Sequence, residues 1–147
     1  MSVSSVVEST INGLIVNWPT LVAQFQEQIL KNKFPKMGSM TVTAEQIPDF
    51  LHEEVNEIKE AYDADDLYGV IDGLCDLIYY AIGMSHQMGV HLGPYFFEVH
   101  LANMEKEHDP DAVPGVNKRV IKPEGWQEPR IAEIMAYMAK RRVKPSL

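Results

Sequence analysis

Apolar residues recur at helical spacing along most of this chain, and where a period exists it is 3.6, which predicts an all-α fold. A first helix is expected from Pro19 or Thr20 through Leu21, Val22, Phe25 and Ile29 toward Lys33. The stretch FPKMGSMTV reads as a loop. Thr43 with Gln46 forms the pattern of a capping box, opening a second helix that continues to about Tyr62 with Pro48 in or near its first turn. Residues 63–66 are an acidic turn, and Asp65 or Asp66 is expected to cap a third helix that runs to about Met88 and stops at Gly89. A fourth helix from Pro94 to about Glu107 carries Phe96, Phe97, Val99 and Met104. Residues 108–128 then mix proline, glycine and charge. Structureless stretches beyond about 12–15 residues are uncommon in compact domains and often serve as lids or binding loops. A last helix from about Arg130 to Ala139 runs into a basic tail over 140–147, expected to complement the helix C-terminus and solvate the chain end. Residues 1–18 are weakly patterned and expected to be flexible. With no internal repeat, low-complexity segment or long linker, the whole of 1–147 is expected to form a single domain.

Two groups of acids interrupt this pattern. On the second helix, Ile47, Leu51, Ile58 and Ala61 mark an apolar stripe, and Glu54 falls inside it, one turn from Leu51 and one turn from Ile58. Glu57 lies at the edge of the stripe, three residues on and on the same face. On the third helix, Asp72 and Asp76 are four apart and are the only charged residues from Gly69 to Ser85, in a segment apolar around most of its circumference and so expected to be largely buried. The turn between the helices is short, which makes them antiparallel neighbours. Buried carboxylates are costly unless paired or bound to a cation. Four hard oxygen donors from two helices suit Mg²⁺ or Mn²⁺, with positions left for water and a substrate phosphate. A solvated acidic face accounts for Glu53 and Glu60, and Lys59 is placed to pair with a neighbouring carboxylate, but that reading fits Glu54 and Asp76 poorly. A di-iron carboxylate bundle needs two Glu-x-x-His pairs, and only Glu105 with His108 has that spacing.

Composition narrows the function further. A hydrophobic content of 46% in 147 residues supports one real core. A net charge of -8 argues against a broad nucleic-acid surface, while leaving room for a small anion carried by a metal and a few local cations. Cys75 is the only cysteine, so there is no disulfide framework, and it is expected to pack as a small apolar residue beside Leu74 and Leu77. The N-terminus lacks the basic start of a signal peptide, and no apolar run approaches the roughly 20 residues that span a bilayer. A soluble cytoplasmic protein with no membrane partner is the expectation.

The segments EEVNEIKEA and DGLCDLIYYAIG, followed by VHLANMEK and then IKPEGWQEP, resemble the MazG-like all-α NTP pyrophosphohydrolases. The likeness is closest to the small phosphoribosyl-ATP pyrophosphohydrolase-like members often carried by bacteriophages, and it runs from about Phe25 to Ile134. Their hallmark is Glu-x-x-Glu on one helix and Glu-x-x-Asp on the next. Glu54 and Glu57 match the first pair and Asp76 the final aspartate, but Gly73 stands where the fourth acid belongs, with Asp72 one residue earlier. Asp72 either reaches the same cation from the preceding turn or serves a second metal or a water.

The resemblance implies Mg²⁺-dependent hydrolysis of a nucleoside triphosphate between its α and β phosphates, yielding a monophosphate and pyrophosphate. The attacking water needs a proton acceptor, for which Glu53 and Glu57 are the candidates. Phosphate contacts are assigned to Lys106 in the NMEK segment and to Lys118, Arg119 and Lys122 in the long loop, with Asn103 bonding phosphate, sugar or base. The same residues have plainer roles open to them: Lys106 favours a helix C-terminus, and Asn103 can bond nearby backbone. Among Trp18, Phe25, Tyr79, Tyr80 and Trp126 as possible base contacts, Tyr80 is the best placed, one turn beyond Asp76. The third helix has more apolar surface than one small bundle covers, so a homodimer or homotetramer is expected, as is the habit of the resembled family. Phosphoribosyl-ATP or an alarmone is the alternative substrate. A non-catalytic helical module that binds nucleotide or protein is the alternative of another class.

Overall fold

The computed structural model describes residues 17–35, 37–38, 46–113 and 120–141, with backbone only at 46–48 and 141. Thr43 of the expected capping box, the stretch 1–16 and the end of the basic tail from Arg142 lie outside the described residues. The chain divides into two compact units, one running to Val90 and the other starting at His91.

The first unit is three helices: α1 (Trp18–Gln28), α2 (Gln46–Asp63) and α3 (Leu67–Gln87). Asn17 caps α1 by accepting from the Thr20 amide at 3.2 Å, and Pro19 sits in the first turn, where a missing N–H breaks no helical bond. The helix ends at Gln28, short of the expected Lys33. Lys31 takes a left-handed backbone (φ 58°), and both the backbone amide and the side chain of Asn32 turn back to bond Gln26. These bonds take up a carbonyl that the helix end leaves open. Pro48 stands in the first turn of α2 as expected. Lys59 pairs with Asp63 on the exposed side of the same helix.

Of the two candidate caps for α3, Asp66 is the one used: its Oδ1 accepts from the Tyr68 and Gly69 amides, both at 3.1 Å, while Asp65 provides the left-handed turn (φ 55°). At the other end Gly89 adopts φ 66° and the Val90 amide closes onto Ser85 O, so the helix stops where the glycine predicts. Both α1 and α2 pack on α3, and Val22 and Ile82 form the buried apolar centre between α1 and α3.

Two expectations for α3 fail. Leu67, Ile71, Leu74 and Ile78 are exposed, and so is Cys75, because α1 and α2 cover only part of a helix that is apolar nearly all round. At 21 residues, with an 18-residue window of mean hydropathy 1.3, α3 is also long and apolar enough, by length and composition, to cross a membrane. Asp72 and Asp76 stand in its middle turns, where each acid would cost about 2.5–3.5 kcal/mol at a bilayer centre. Its place in the fold is as the helix on which α1 and α2 pack.

The second unit holds α4 (Leu92–Met104), a short antiparallel ladder of β1 (Glu107–His108) with β2 (Val120–Ile121), and α5 (Ile131–Arg141). The stretch expected to be structureless therefore carries a β-ladder, with Glu107 opposite Ile121 and His108 opposite Val120. That pairing ends α4 at Met104 and removes His108 from any helical Glu-x-x-His pair. Glu98 on α4 holds the start of α5, accepting from the Arg130 backbone amide at 3.2 Å and from its guanidinium at 2.6 and 3.1 Å. These bonds hold the Glu98 carboxyl below the usual carboxylate range and raise Arg130 in turn.

Candidate active site

Glu54 is the buried member of the acidic group, 7% exposed, and its Oε2 has no hydrogen-bond partner among the described residues. Burial raises its pKa first, and then the negative charges of Glu57, Asp76, Glu53 and Asp72 raise it further. The helical hairpin thus brings together the acids that the spacing singled out: Glu53, Glu54 and Glu57 from α2 and Asp72 and Asp76 from α3. The other four are exposed, which corrects the expectation that Asp76 is buried. Among the described residues, no group of three or more acid, imidazole or thiol side chains is placed to hold a metal ion. The donor chemistry nonetheless fits a hard divalent cation, because one buried carboxylate oxygen lacks a partner and four more carboxylates lie within its electrostatic reach.

Gly73, the departure from the family pattern, now has a physical reason. It is buried against α2, and a Cβ added there would stand 2.6 Å from Ile58 Cγ1. Position 73 is a point of close approach between the helices, as is Gly69 against Ala61, so a glutamate side chain at 73 has no room unless Ile58 gives way. The acids on α3 that reach toward Glu54 come from the positions on either side of that contact, 72 and 76.

Asp76 also lines a cavity of about 540 Å³, within the range of roughly 300–1,000 Å³ that small-molecule sites occupy. Its walls include two aromatic pairs. Phe50 and Tyr80 lie parallel, 5.7 Å between centroids and 5° between planes, and Phe25 meets Tyr79 edge to face at 5.5 Å. Tyr80, Phe25 and Tyr79 had been singled out from the sequence, whereas Trp18 is exposed on α1 away from the lining. Phe50, Gln26 and Gly83 had not. Phe50 had a legible signal: it is one turn before Glu54, as Tyr80 is one turn after Asp76, and on antiparallel helices those two offsets run in the same direction.

In the second unit the residues assigned to phosphate gather around Trp126. Its indole Nε1 donates to Ala102 O at 2.7 Å, and the ammonium groups of Lys106 and Lys122 stand 5.4 and 4.0 Å from the ring centroid. Lys106 donates to Asn103 Oδ1 and Lys122 to Glu128 Oε1, both at 2.7 Å. The VHLANMEK and IKPEGWQEP segments are therefore one packed cluster, with Trp126 serving as its centre. Lys118 and Arg119 lie outside the described residues.

Paired acids on two neighbouring helices are the hallmark of the MazG-like all-α pyrophosphohydrolases that the sequence resembles. Residues 22–103, more than half of the chain, match the family model of phosphoribosyl-ATP pyrophosphohydrolase, and the chain belongs to that family within the MazG-like superfamily. The match spans α1 to α4 and includes all five acids and Asn103. No individual curated protein matches the chain. The protein is accordingly a nucleotide pyrophosphohydrolase, a hydrolase of phosphoric anhydride bonds, from a family whose enzymes generally depend on a divalent metal.

Proposed function

We propose that this protein hydrolyses ribo- or deoxyribonucleoside triphosphates between the α and β phosphates, with Mg²⁺ as cofactor and Mn²⁺ as a possible substitute. The observation that carries the reading is the buried Glu54 carboxylate, one oxygen of which has no partner among the described residues, within an acidic group that shares Asp76 with an aromatic cavity. Glu54, Glu57, Asp72 and Asp76 would hold the cation, which supplies neutralisation of phosphate charge and polarisation of the reacting group. A water attacks phosphorus, the bridging bond to oxygen breaks, and pyrophosphate leaves. Glu53 and Glu57, both exposed beside Glu54, are the acceptors for the proton that water gives up. Lys106 and Lys122, with Lys118 and Arg119, bind phosphate charge, Asn103 bonds phosphate, sugar or base, and Tyr80 stacks on the base. The exposed apolar stripe of α3 supports a homodimer or homotetramer, and a cytoplasmic location without nucleic-acid or membrane partners completes the reading.

Phosphoribosyl-ATP is the second reading, favoured by the family whose model the chain matches. Both are tested by following pyrophosphate release from purified protein with the eight common NTPs and dNTPs and with phosphoribosyl-ATP, with and without Mg²⁺, beside Glu54→Gln. Metal-dependent release that the variant loses supports the reaction and ranks the substrates. Release from phosphoribosyl-ATP alone transfers the assignment to the second reading. Silence on all of them, and on guanosine alarmones, leaves a non-catalytic binding module.

A further inference from the structure

The aromatic cavity contains a polar device that neither the acids nor the phosphate contacts use. Gln26, on α1, is 5% exposed, and a buried amide needs partners for both of its arms. Its Oε1 accepts from Asn32 Nδ2 at 2.8 Å, the one side-chain bond it makes among the described residues. Asn32 is itself tied back by its amide to Gln26 O at 2.8 Å, so the loop after α1 holds the side chain from two sides. The second arm, Nε2, lies against Gly83 on α3, where an added Cβ would stand 2.9 Å away. Gln26 and Gly83 both line the cavity, together with the Phe50–Tyr80 and Phe25–Tyr79 pairs and with Asp76. All four rings remain more than a third exposed in spite of their mutual contacts, so ring surface is open to a planar guest.

We infer that Gln26, oriented by Asn32 and kept clear by Gly83, is the specificity-determining residue of a nucleobase subsite in this cavity. The inference rests on the nucleotide-hydrolase reading above and adds to it what the site reads. A planar heterocycle stacks on the aromatic faces, and its leading edge offers an acceptor, a carbonyl oxygen or an unprotonated ring nitrogen, to the Gln26 Nε2–H. The phosphate end then lies toward Asp76. Hydrogen at position 83 gives that nitrogen its room beside α3. Even a methyl group must displace an amide that Asn32 anchors. Sites built to hydrogen-bond a ligand reject analogues that leave the buried group unpaired far more strongly than apolar walls reject a change of size.

The test uses the four common nucleoside monophosphates as probes, measured by calorimetry without metal, together with kcat and KM for the corresponding triphosphates. In wild-type protein one base or base pair should bind best. Gln26→Leu is expected to weaken that base by roughly tenfold, the scale of one hydrogen bond, and to compress the ranking. The triphosphate loss should fall on KM with kcat retained, because the contact is remote from the reacting phosphorus. Asn32→Ala and Gly83→Ala should compress the ranking in the same way, and they carry the test if Gln26→Leu fails to fold. A wild-type enzyme that hydrolyses triphosphates while all folded variants keep its base ranking and KM values overturns this inference and leaves the reaction standing. Monophosphate binding that ranks the bases and depends on Gln26, with no hydrolysis of any nucleotide, upholds the subsite and removes the reaction.

Discussion

Gly73→Ala is the sharpest test of why the family's fourth acid is missing. Two effects of opposite sign meet at this position. Alanine in a helix interior is favoured over glycine by about 0.5–1 kcal/mol, since glycine loses more backbone freedom on folding. Against that, the new methyl would sit 2.6 Å from Ile58 Cγ1, far inside van der Waals contact, and α2 must move or Ile58 must leave its rotamer. Overpacking of this kind costs about 1–3 kcal/mol. The clash outweighs the gain at mid-range, and a net loss centred on about 1 kcal/mol is expected by urea unfolding in metal-free buffer. Gly73→Glu, which restores the family pattern on paper, should lose at least as much and should not bind Mg²⁺ more tightly. The control is the double-mutant cycle with Ile58→Ala, which removes Cγ1. In that background Gly73→Ala should become neutral or stabilising. If Gly73→Ala instead stabilises the wild-type protein by the helix-propensity amount, the close approach of α2 and α3 is wrong. Gly73 would then be a lost ligand position after all.

Glu54→Gln removes a charge that four other acids oppose while keeping the shape of the side chain. Without metal its melting temperature should equal or exceed that of the wild type, and Mg²⁺ should raise only the wild type; a metal shift retained in the variant counts against Glu54 as a ligand. The Glu98–Arg130 pair sets an acid limit for the second unit. The folded pKa of Glu98 is depressed below its ordinary 4.5, so its contribution to stability is fully present above that value and lost as pH falls through the depressed folded pKa. Glu98→Gln should therefore flatten the acid limb of a stability–pH curve and leave the neutral region lower than wild type; an unchanged limb would remove the pair from the account. Trp126→Phe keeps a ring beside Lys106 and Lys122 but loses the bond to Ala102 O, and should cost about 0.5–1.5 kcal/mol, or more if the carbonyl is left dry. No loss by thermal unfolding would mean that the indole does not anchor this cluster.

The sequence by itself determined the helices, their order and most of their ends, because those follow from local causes: apolar period, an aspartate beside a free amide, a glycine where φ must be positive. Asp66, Pro48 and Gly89 act where the pattern places them. It also determined that Glu54 is anomalous, since an acid inside an apolar stripe is visible without coordinates. The family-like segments around Asn103 and Trp126 were legible as marks, but not as one cluster, because a ring between two lysines joins residues some twenty positions apart. Only the tertiary structure decided that Gly73 faces Ile58, that Phe50 lies flat on Tyr80, and that Gln26 reaches Gly83. The β-ladder and the exposed stripe of α3 belong to the same group. Helical period says which residues share a face. What covers that face, and how closely, depends on partners distant in sequence, and periodicity carries no information about them.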